Sequence, residues 1–274
     1  MPSSSVEISI RQFTEQDIRA VAVLSATAGW NHTAADWQLL LYLHEEGCLL
    51  LEYAGRIVAT TTLICYGDRL AWLGMALTHP EYRRLGFARR LVESALKIAE
   101  AKGIQSVKLD ATDLGRPLYE SLGFRHEQLI ERWSRTEASS NKLEPAASPG
   151  SPDSELDRQA FGADRSQALR LLAAGALTFT ADHGFAVLRN GLRAAYIGPC
   201  VARSPEAAEL VIESCLAACS RDCYWDLLPS NHQAVKIAGT LSFKAERRLV
   251  RMVKGADFRG NESMIYAGAG FELG

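Results

Sequence analysis

Several features that mark special classes of protein are missing from this chain of 274 residues. No uninterrupted apolar run reaches the ~18 residues of a membrane-spanning helix. The start, MPSSSVEISI, has no basic segment followed by an apolar one, so we expect no export signal. The 30 basic and 32 acidic residues leave a net charge of −2, which favours neither nucleic acid nor a membrane as a partner. We therefore expect a cytoplasmic protein.

The six cysteines have neither the CxxC spacing of common metal sites nor the density of a disulfide framework. Cys215, Cys219 and Cys223 are spaced four residues apart, as on one face of a helix, where a metal site is the alternative to packing. We favour packing and predict no metal, because free cysteine behaves as a small apolar residue. The chain also lacks GxxxxGK(S/T), which excludes a P-loop nucleotide site.

The most informative stretch that is present is HPEYRRLGFARRL, from His79 to Leu91. An apolar, strand-like run precedes it, and Gly86 stands just before an amphipathic helix. The first N–H groups of a helix have no intrahelical partners, and the helix dipole favours an anion there. Gly86 and the small Ala88 leave room for a phosphate to approach the backbone. The alternative is an ordinary basic helix start, but the nearby arginines favour a pyrophosphate site: Arg83, Arg84, Arg89 and Arg90.

Apolar periodicity predicts alternating strands and helices in the first half of the chain. A strand at 6–10 and two helices lead to a hairpin over 48–66 and a strand at 70–78. The Arg-Gly turn and a helix at 87–102 follow, with further elements at 106–111 (strand), 116–121 (helix) and 124–134 (strand).

The second half repeats this order in outline. Residues 136–153 contain four serines, three prolines and a glycine, which predicts a linker. Beyond it, Leu241-Ser242-Phe243 echoes Leu122-Gly123-Phe124, but residues 201–206 have no glycine where the first half has its turn. We therefore predict a first domain at 1–135, a linker at 136–153 and a degenerate second domain at 154–274. We interpret Asp226, on a strand of that second domain, as a paired structural carboxylate.

Two of these motifs resemble those of a known family. Residues 83–88, RRLGFA, match the acyl-CoA turn (Q/R)-x-x-G-x-(G/A) of the GNAT acyltransferases, and residues 118–124, LYESLGF, resemble that family's second motif. The resemblance covers roughly residues 5–134, and the second half resembles a degenerate copy, as in a two-domain bacterial subgroup. It implies an α/β (α+β) fold of tandem GNAT-like domains, each with a mixed, mainly antiparallel sheet flanked by helices.

The resemblance also implies acetyl-CoA as the cosubstrate. Backbone N–H groups of the turn would hold the pyrophosphate, and the strand ending at Leu77 and Thr78 would bind the pantetheine amides. Thr112 stands where the family often has asparagine, which weakens that contact without removing it. The implied cofactor-binding residues are Leu77, Thr78, Arg83, Arg84, Leu85, Gly86, Phe87, Ala88, Arg89, Thr112 and Tyr119.

For the chemistry, the resemblance implies that the Tyr119 hydroxyl protonates the leaving thiolate or stabilises it by a hydrogen bond. An amine with a pKa near ~10 must lose a proton before it attacks the thioester, so a base is needed. A water-linked base is our first choice and Asp110 our second.

The loop residues Trp30 and Asn31 are candidates for the acceptor pocket, since loops on a scaffold carry specificity; packing between the first two helices is the alternative. The predicted function is transfer of an acetyl group from acetyl-CoA to a primary amine of a small molecule, by direct attack. A non-catalytic acyl-CoA-binding or sensing protein is the alternative. We expect a monomer or homodimer.

Overall fold

The computed structural model describes residues 7–136 and 144–274. The chain divides into two compact units, residues 1–107 and 108–274. The division lies inside strand β5 (Ser106–Ala111), which belongs to the first of the two repeats predicted from the sequence. The domain limits predicted above, 1–135 and 154–274, are based on the sequence repeat. They stay a prediction.

The first unit contains a four-stranded antiparallel sheet in the order β1-β2-β3-β4. Thr33 begins the second helix with a capping box, since its hydroxyl accepts from the Asp36 N–H and Asp36 accepts in return. The elements are β1 (Ile8–Gln12), α1 (Ile18–Thr27), α2 (Ala34–Leu43), β2 (Cys48–Tyr53), β3 (Arg56–Tyr66), β4 (Leu70–Thr78) and α3 (Phe87–Ala101).

Each helix of this unit buries apolar side chains in the core. Trp37 of α2 is fully buried, meets the Phe13 ring edge-on at 5.6 Å and donates from Nε1 to the Ser25 hydroxyl at 3.2 Å. Helix α3 buries Leu91, Val92 and neighbouring small residues along one stripe. Trp37 therefore packs between the first two helices.

The second unit begins with most of β5 and holds a larger sheet, in the order β5-β12-β6-β11-β10-β9-β8-β7, with β13 beside β10. Strands β10 and β11 are parallel, and the pairs β6·β11 and β6·β12 are antiparallel. Its further elements are α4 (Arg116–Ser121), β6 (Arg125–Arg135), β7 (Ser148–Pro149), α5 (Ser154–Phe161), α6 (Ser166–Ala174), β8 (Leu177–Ala181), β9 (Gly184–Arg189), β10 (Ala195–Ala202), α7 (Pro205–Ala217), β11 (Cys223–Leu227), α8 (His232–Thr240), β12 (Lys244–Gly255) and β13 (Ile265–Ala267).

Strand order in this unit shows that the two sequence repeats exchange two strands, β6 and β12. Strand β6, from the first repeat, lies between β11 and β12 of the second, and β12 lies between β5 and β6 of the first. Each of these two strands therefore pairs with the other repeat, which is why residues 108–135 belong to the second compact unit. A truncation that removes residues 154–274 would remove β11 and β12, the two strands that pair with β6. Such a truncation therefore cannot isolate the first repeat.

The sequence predictions for the elements hold, with local differences. Helix α7 ends at Ala217, so the expectation that Cys215, Cys219 and Cys223 share one helix face is wrong. The chain must leave the helix there to return as β11, and it does so over residues 218–222. Of the predicted linker, residues 137–143 lie outside the described residues, and the N–H groups of Ala146 and Ala147 donate to the Ser214 hydroxyl.

Candidate functional site

The Arg-Gly turn of the first unit has the backbone shape of an anion cradle. Arg84 and Gly86 both adopt left-handed conformations, with φ of 64° and 79°, directly before α3. Gly86 is the N-cap residue of α3 and supplies no side-chain cap, and the first helical turn carries no acidic residue. This helix start therefore has the form of an anion site, and its use by a ligand stays a prediction.

Side chains around the turn have distinct positions. Arg83, Arg84, Leu85 and Gly86 are exposed, and Arg83 donates from Nε to the Thr78 carbonyl at 3.3 Å, which ties the turn to the end of β4. Phe87 is instead buried and packs with its ring 5.5 Å from that of Tyr53. Phe87 thus anchors the turn, and only its backbone is available to a ligand.

Strand β4 is bulged just before the turn. Met75 has a φ of 48°, and the register against β3 shifts between the pairs Thr60–Leu77 and Thr62–Gly74. The Thr60 hydroxyl donates to the Met75 carbonyl at 2.9 Å, and the Thr61 hydroxyl donates to the Gly74 carbonyl at 3.2 Å. A bulge of this kind bends the strand and changes the direction of the residues that follow it.

The end of β4 also carries a polar atom that lacks a protein partner. The Thr78 hydroxyl oxygen is buried and makes no hydrogen bond within the described part of the chain. Buried hydroxyls are normally satisfied, so such an atom needs a water or a ligand atom. Leu77 and Thr78 are the residues predicted from the sequence to bind the pantetheine arm, and this orphaned oxygen fits that prediction.

In the second unit, Tyr119 lies on α4 and is buried, with its ring edge-on to Phe124 at a centroid distance of 5.8 Å. Burial raises the pKa of the Tyr119 phenol to about 12. The phenol therefore stays protonated at neutral pH and can act as a hydrogen-bond donor.

Thr112 and Asp110 lie close to Tyr119 in the sequence, and each has a protein partner. The Thr112 hydroxyl accepts from the Gly115 N–H at 3.2 Å and shapes the entry to α4. Both Asp110 oxygens accept from Arg251, at 2.9 and 3.0 Å, and the carboxylate is fully buried. Burial raises the pKa of Asp110, and Arg251 opposes that shift. The pairing favours a structural role, and base catalysis by Asp110 stays a prediction.

The loop residues predicted for the acceptor lie in the first unit. The Trp30 ring meets the His32 ring edge-on at 5.5 Å, and the Trp30 N–H donates to the Ser25 carbonyl after α1 ends. Trp30 and Asn31 are half-buried, so part of each surface faces outward. Their role toward an acceptor stays a prediction.

A second buried ion pair repeats the Asp110–Arg251 arrangement, and sequence reasoning anticipated one of its members. Asp226 accepts from Arg132 through two hydrogen bonds of 2.7 Å, which confirms that this carboxylate is paired; its structural role stays a prediction. Arg132 stands eight residues after Phe124, and Arg251 stands eight residues after Phe243. The repeated motifs LGF and LSF therefore mark the two arginines as equivalent positions of the repeats. They do not show that each arginine binds an aspartate of the other repeat.

The comparisons with known proteins agree with the repeat. Residues 15–124 match the model described as Acetyltransferase (GNAT) family, and residues 154–267 match the model described as Acetyltransferase (GNAT) domain.

The described residues hold no group of three or more His, Cys, Asp or Glu suited to a metal. No helix in the described ranges has the length and apolarity needed to cross a bilayer.

Two curated relatives carry acetyltransferase names. The chain is 27% identical over 165 residues to Uncharacterized N-acetyltransferase YitH of Bacillus subtilis (strain 168), covering 58% of this chain and 57% of that protein. It is 32% identical over 81 residues to Glucosamine 6-phosphate N-acetyltransferase of Trypanosoma brucei brucei, covering 27% and 55%. The chain thus spans a little more than half the length of these relatives.

A solved structure extends the likeness of fold to nearly the whole chain. The crystal structure of a protein from Pyrococcus horikoshii superposes with a TM-score of 0.87 at 22% identity, covering 97% of this chain and 96% of that one. The fold predicted from the sequence is confirmed. With one GNAT model matching each half, the chain belongs to the GNAT superfamily as a protein with two GNAT domains.

Proposed function

We propose that this protein transfers an acetyl group from acetyl-CoA to a primary amine of a small molecule. The observation that carries the proposal is the left-handed turn at Arg84 and Gly86, which leaves the start of α3 open beside several arginines. Backbone N–H groups and arginines together suit a pyrophosphate. The unsatisfied Thr78 hydroxyl supports a polar arm of the same substrate at the end of β4.

In the proposed reaction, the amine nitrogen attacks the thioester carbon, and the carbon–sulfur bond breaks as the amide forms. The chain binds and orients the two substrates, which converts a bimolecular encounter into a reaction within one complex. The amine's proton leaves through ordered water. We prefer this route to direct transfer to Asp110, because Arg251 already occupies both Asp110 oxygens.

The raised pKa of Tyr119 distinguishes between the two roles that the family resemblance implies. A phenol with a pKa of about 12 is a far weaker acid than an ordinary thiol. With a thiol pKa near ~8.5, complete proton transfer to the thiolate is uphill by about 5 kcal/mol. Tyr119 therefore serves as a hydrogen-bond donor that stabilises the leaving sulfur, and the thiolate takes its proton later from solvent.

We expect Tyr119→Phe to lower turnover by about 10- to 100-fold, the size of a lost hydrogen bond to a charged group. The KM for acetyl-CoA should change less than about two-fold, because the donor acts on charge that develops as the thiolate leaves. The measurement is steady-state thiol release at saturating amine, with far-UV circular dichroism as the control for folding. Since its pKa is about 12, ionisation of Tyr119 should produce no loss of wild-type activity below about pH 11. Unchanged turnover in the variant would remove Tyr119 from the mechanism.

The proposed function is tested by thiol release from acetyl-CoA with a panel of amines. The panel should include amino sugars and their phosphates, because one relative is named for glucosamine 6-phosphate. Amine-dependent release that forms the N-acetyl product, identified by mass spectrometry, supports the enzyme. Tight CoA binding without release for any amine favours the alternative of a non-catalytic acyl-CoA-binding protein.

A further inference from the structure

Strands β10 and β11 of the second unit run side by side for a short distance and then separate. They pair in parallel over residues 195–197 and 223–225, and the register of β10 against β9 shifts between Ile197 and Cys200. Beyond that bulge, β10 keeps β9 on one side, and β13 takes the place of β11 on the other. Residues 263–269, the inserted segment, therefore lie in the gap between the two parallel strands.

Contacts with both strands hold the inserted segment in this gap. Its Gly268 N–H donates to the Asp226 carbonyl of β11 at 2.8 Å, and the Trp225 indole of β11 donates to the Tyr266 carbonyl at 2.7 Å. On the other side, a Cβ added at Gly198 of β10 would collide with the Gly268 carbonyl oxygen, so the two backbones are in close contact. All three residues of β13 are buried. The inserted segment thus fills the gap with both backbone and side chains.

Asn231 fixes the start of the inserted segment. Its side-chain N–H groups donate to the Ser263 carbonyl at 3.1 Å and to the Ile265 carbonyl at 3.0 Å. Its side-chain oxygen accepts from the Ala234 N–H at 3.2 Å and so caps α8. Asn231 is itself buried, and a buried polar side chain whose donors and acceptor are all in use has a fixed position. The inserted segment is therefore tied to a helix as well as to the two strands.

The gap of the second repeat corresponds to the end of β4 in the first repeat. Each strand carries a bulge and leads through a turn to a helix, and the residues after the bulge are 77–78 in β4 and 200–202 in β10. In the first repeat, the proposed function places the pantetheine arm on this edge, where the Thr78 hydroxyl has no partner within the described residues. In the second repeat, the corresponding edge of β10 already pairs with the inserted segment. An extended pantetheine arm can pair there only by displacing that segment.

The helix start that follows β10 is closed to an anion as well. Ser204 is the N-cap residue of α7, and its hydroxyl accepts from the Ala207 N–H at 3.2 Å. At α3, Gly86 supplies no such cap. Glu206 also places a carboxylate in the first turn of α7, which repels a second anion. The protein's own groups therefore take both parts of a CoA site in the second repeat, the strand edge and the helix start.

We propose that the inserted segment closes the donor groove of the second repeat, so that the protein binds one CoA per chain, at the first repeat. The segment makes the strand pairing that a pantetheine arm would make, and Ser204 takes the helix N–H that a phosphate would take. To enter this groove, CoA would have to break the hydrogen bonds from Asn231 and Trp225. The comparison with β4 rests on the proposed function, whereas the presence of the segment in the gap does not.

The first test is amide hydrogen exchange of the free protein, followed by mass spectrometry of its peptides. Residues 265–268 should exchange as slowly as β10, because a filled gap opens only with the sheet around it. Asn231→Asp keeps an oxygen to cap α8 and removes both N–H donors to the inserted segment, so exchange there should become about 10- to 100-fold faster. Asn190→Asp, the same change at an exposed residue, should alter that rate less than about two-fold. Exchange of the wild-type segment at the rate of the exposed loops, or equal rates in the two variants, would overturn the proposal.

The second test counts CoA sites by calorimetric titration of the full chain. The wild type should bind one CoA per chain, Gly86→Glu should bind none, and saturating CoA should leave exchange of the inserted segment unchanged. A second CoA per chain, or faster exchange of the segment when CoA is added, would show that the groove of the second repeat takes CoA, against the proposal. Failure of the wild type to bind any CoA would instead refute the proposed function. The exchange rates of the free protein would then still decide whether the segment closes the gap.

Discussion

Replacement of Gly86 by glutamate is expected to abolish CoA binding, lowering affinity by more than about 100-fold. Gly86 has a φ of 79°, which an L-residue adopts at a cost of about 1 kcal/mol. The larger effect is electrostatic, since the new carboxylate would occupy the start of α3 and repel the phosphates. The same carboxylate suits a helix N-terminus, so we expect the fold to survive.

Gly55 provides the matched control for this variant. It is exposed in the β2–β3 turn and has a φ of 72°, and a Cβ added at either glycine meets nothing within 4 Å. Gly55→Glu therefore introduces the same strain and charge away from the helix start. Calorimetric titration with CoA should give an affinity within about two-fold of the wild type for Gly55→Glu. Retention of CoA binding by Gly86→Glu would contradict the proposed pyrophosphate site.

Replacement of Arg132 by methionine is expected to destabilise the second unit by about 3–5 kcal/mol, the cost of leaving a buried charge without its partner. Asp226 is fully buried, and Arg132 supplies two of its hydrogen bonds. The Tyr196 hydroxyl, 3.1 Å from Asp226, would remain as a donor and would keep the loss from being larger. At about 2–4 °C per kcal/mol, the melting temperature should fall by roughly 10 °C.

Two further variants make this prediction specific. Arg158 also binds a glutamate, Glu155, but both side chains are more than half exposed, so Arg158→Met should leave the melting temperature nearly unchanged. The double variant Arg132→Met, Asp226→Leu removes both charges and should recover at least half of the lost stability. Thermal unfolding measures all three. A small effect of Arg132→Met would show that Asp226 finds water or another partner, contrary to the argument from burial.

The Arg-Gly turn and the helices around it were predictable from the sequence because their signals are local. Gly86 marks a left-handed residue before a helix, and the capping sequence at Thr33 and Asp36 starts another. Such signals act over a few residues, so they do not depend on which strands later become neighbours. The expectation that the three cysteines share one helix face is wrong for the converse reason. The spacing of four is helical, but the need to return to the sheet ended α7 at Ala217.

The sequence by itself determined the two repeats, the single Arg-Gly turn and the type of most elements, because backbone sterics and apolar periodicity are properties of short segments. The tertiary structure decided which strands pair, and with them the partners of Asp110 and Asp226. Both arginines follow the same motif, so sequence could not tell that each binds an aspartate of the other repeat. The bulge at Met75 likewise depends on the pairing of β4 with β3, so its free energy is not encoded in β4 alone.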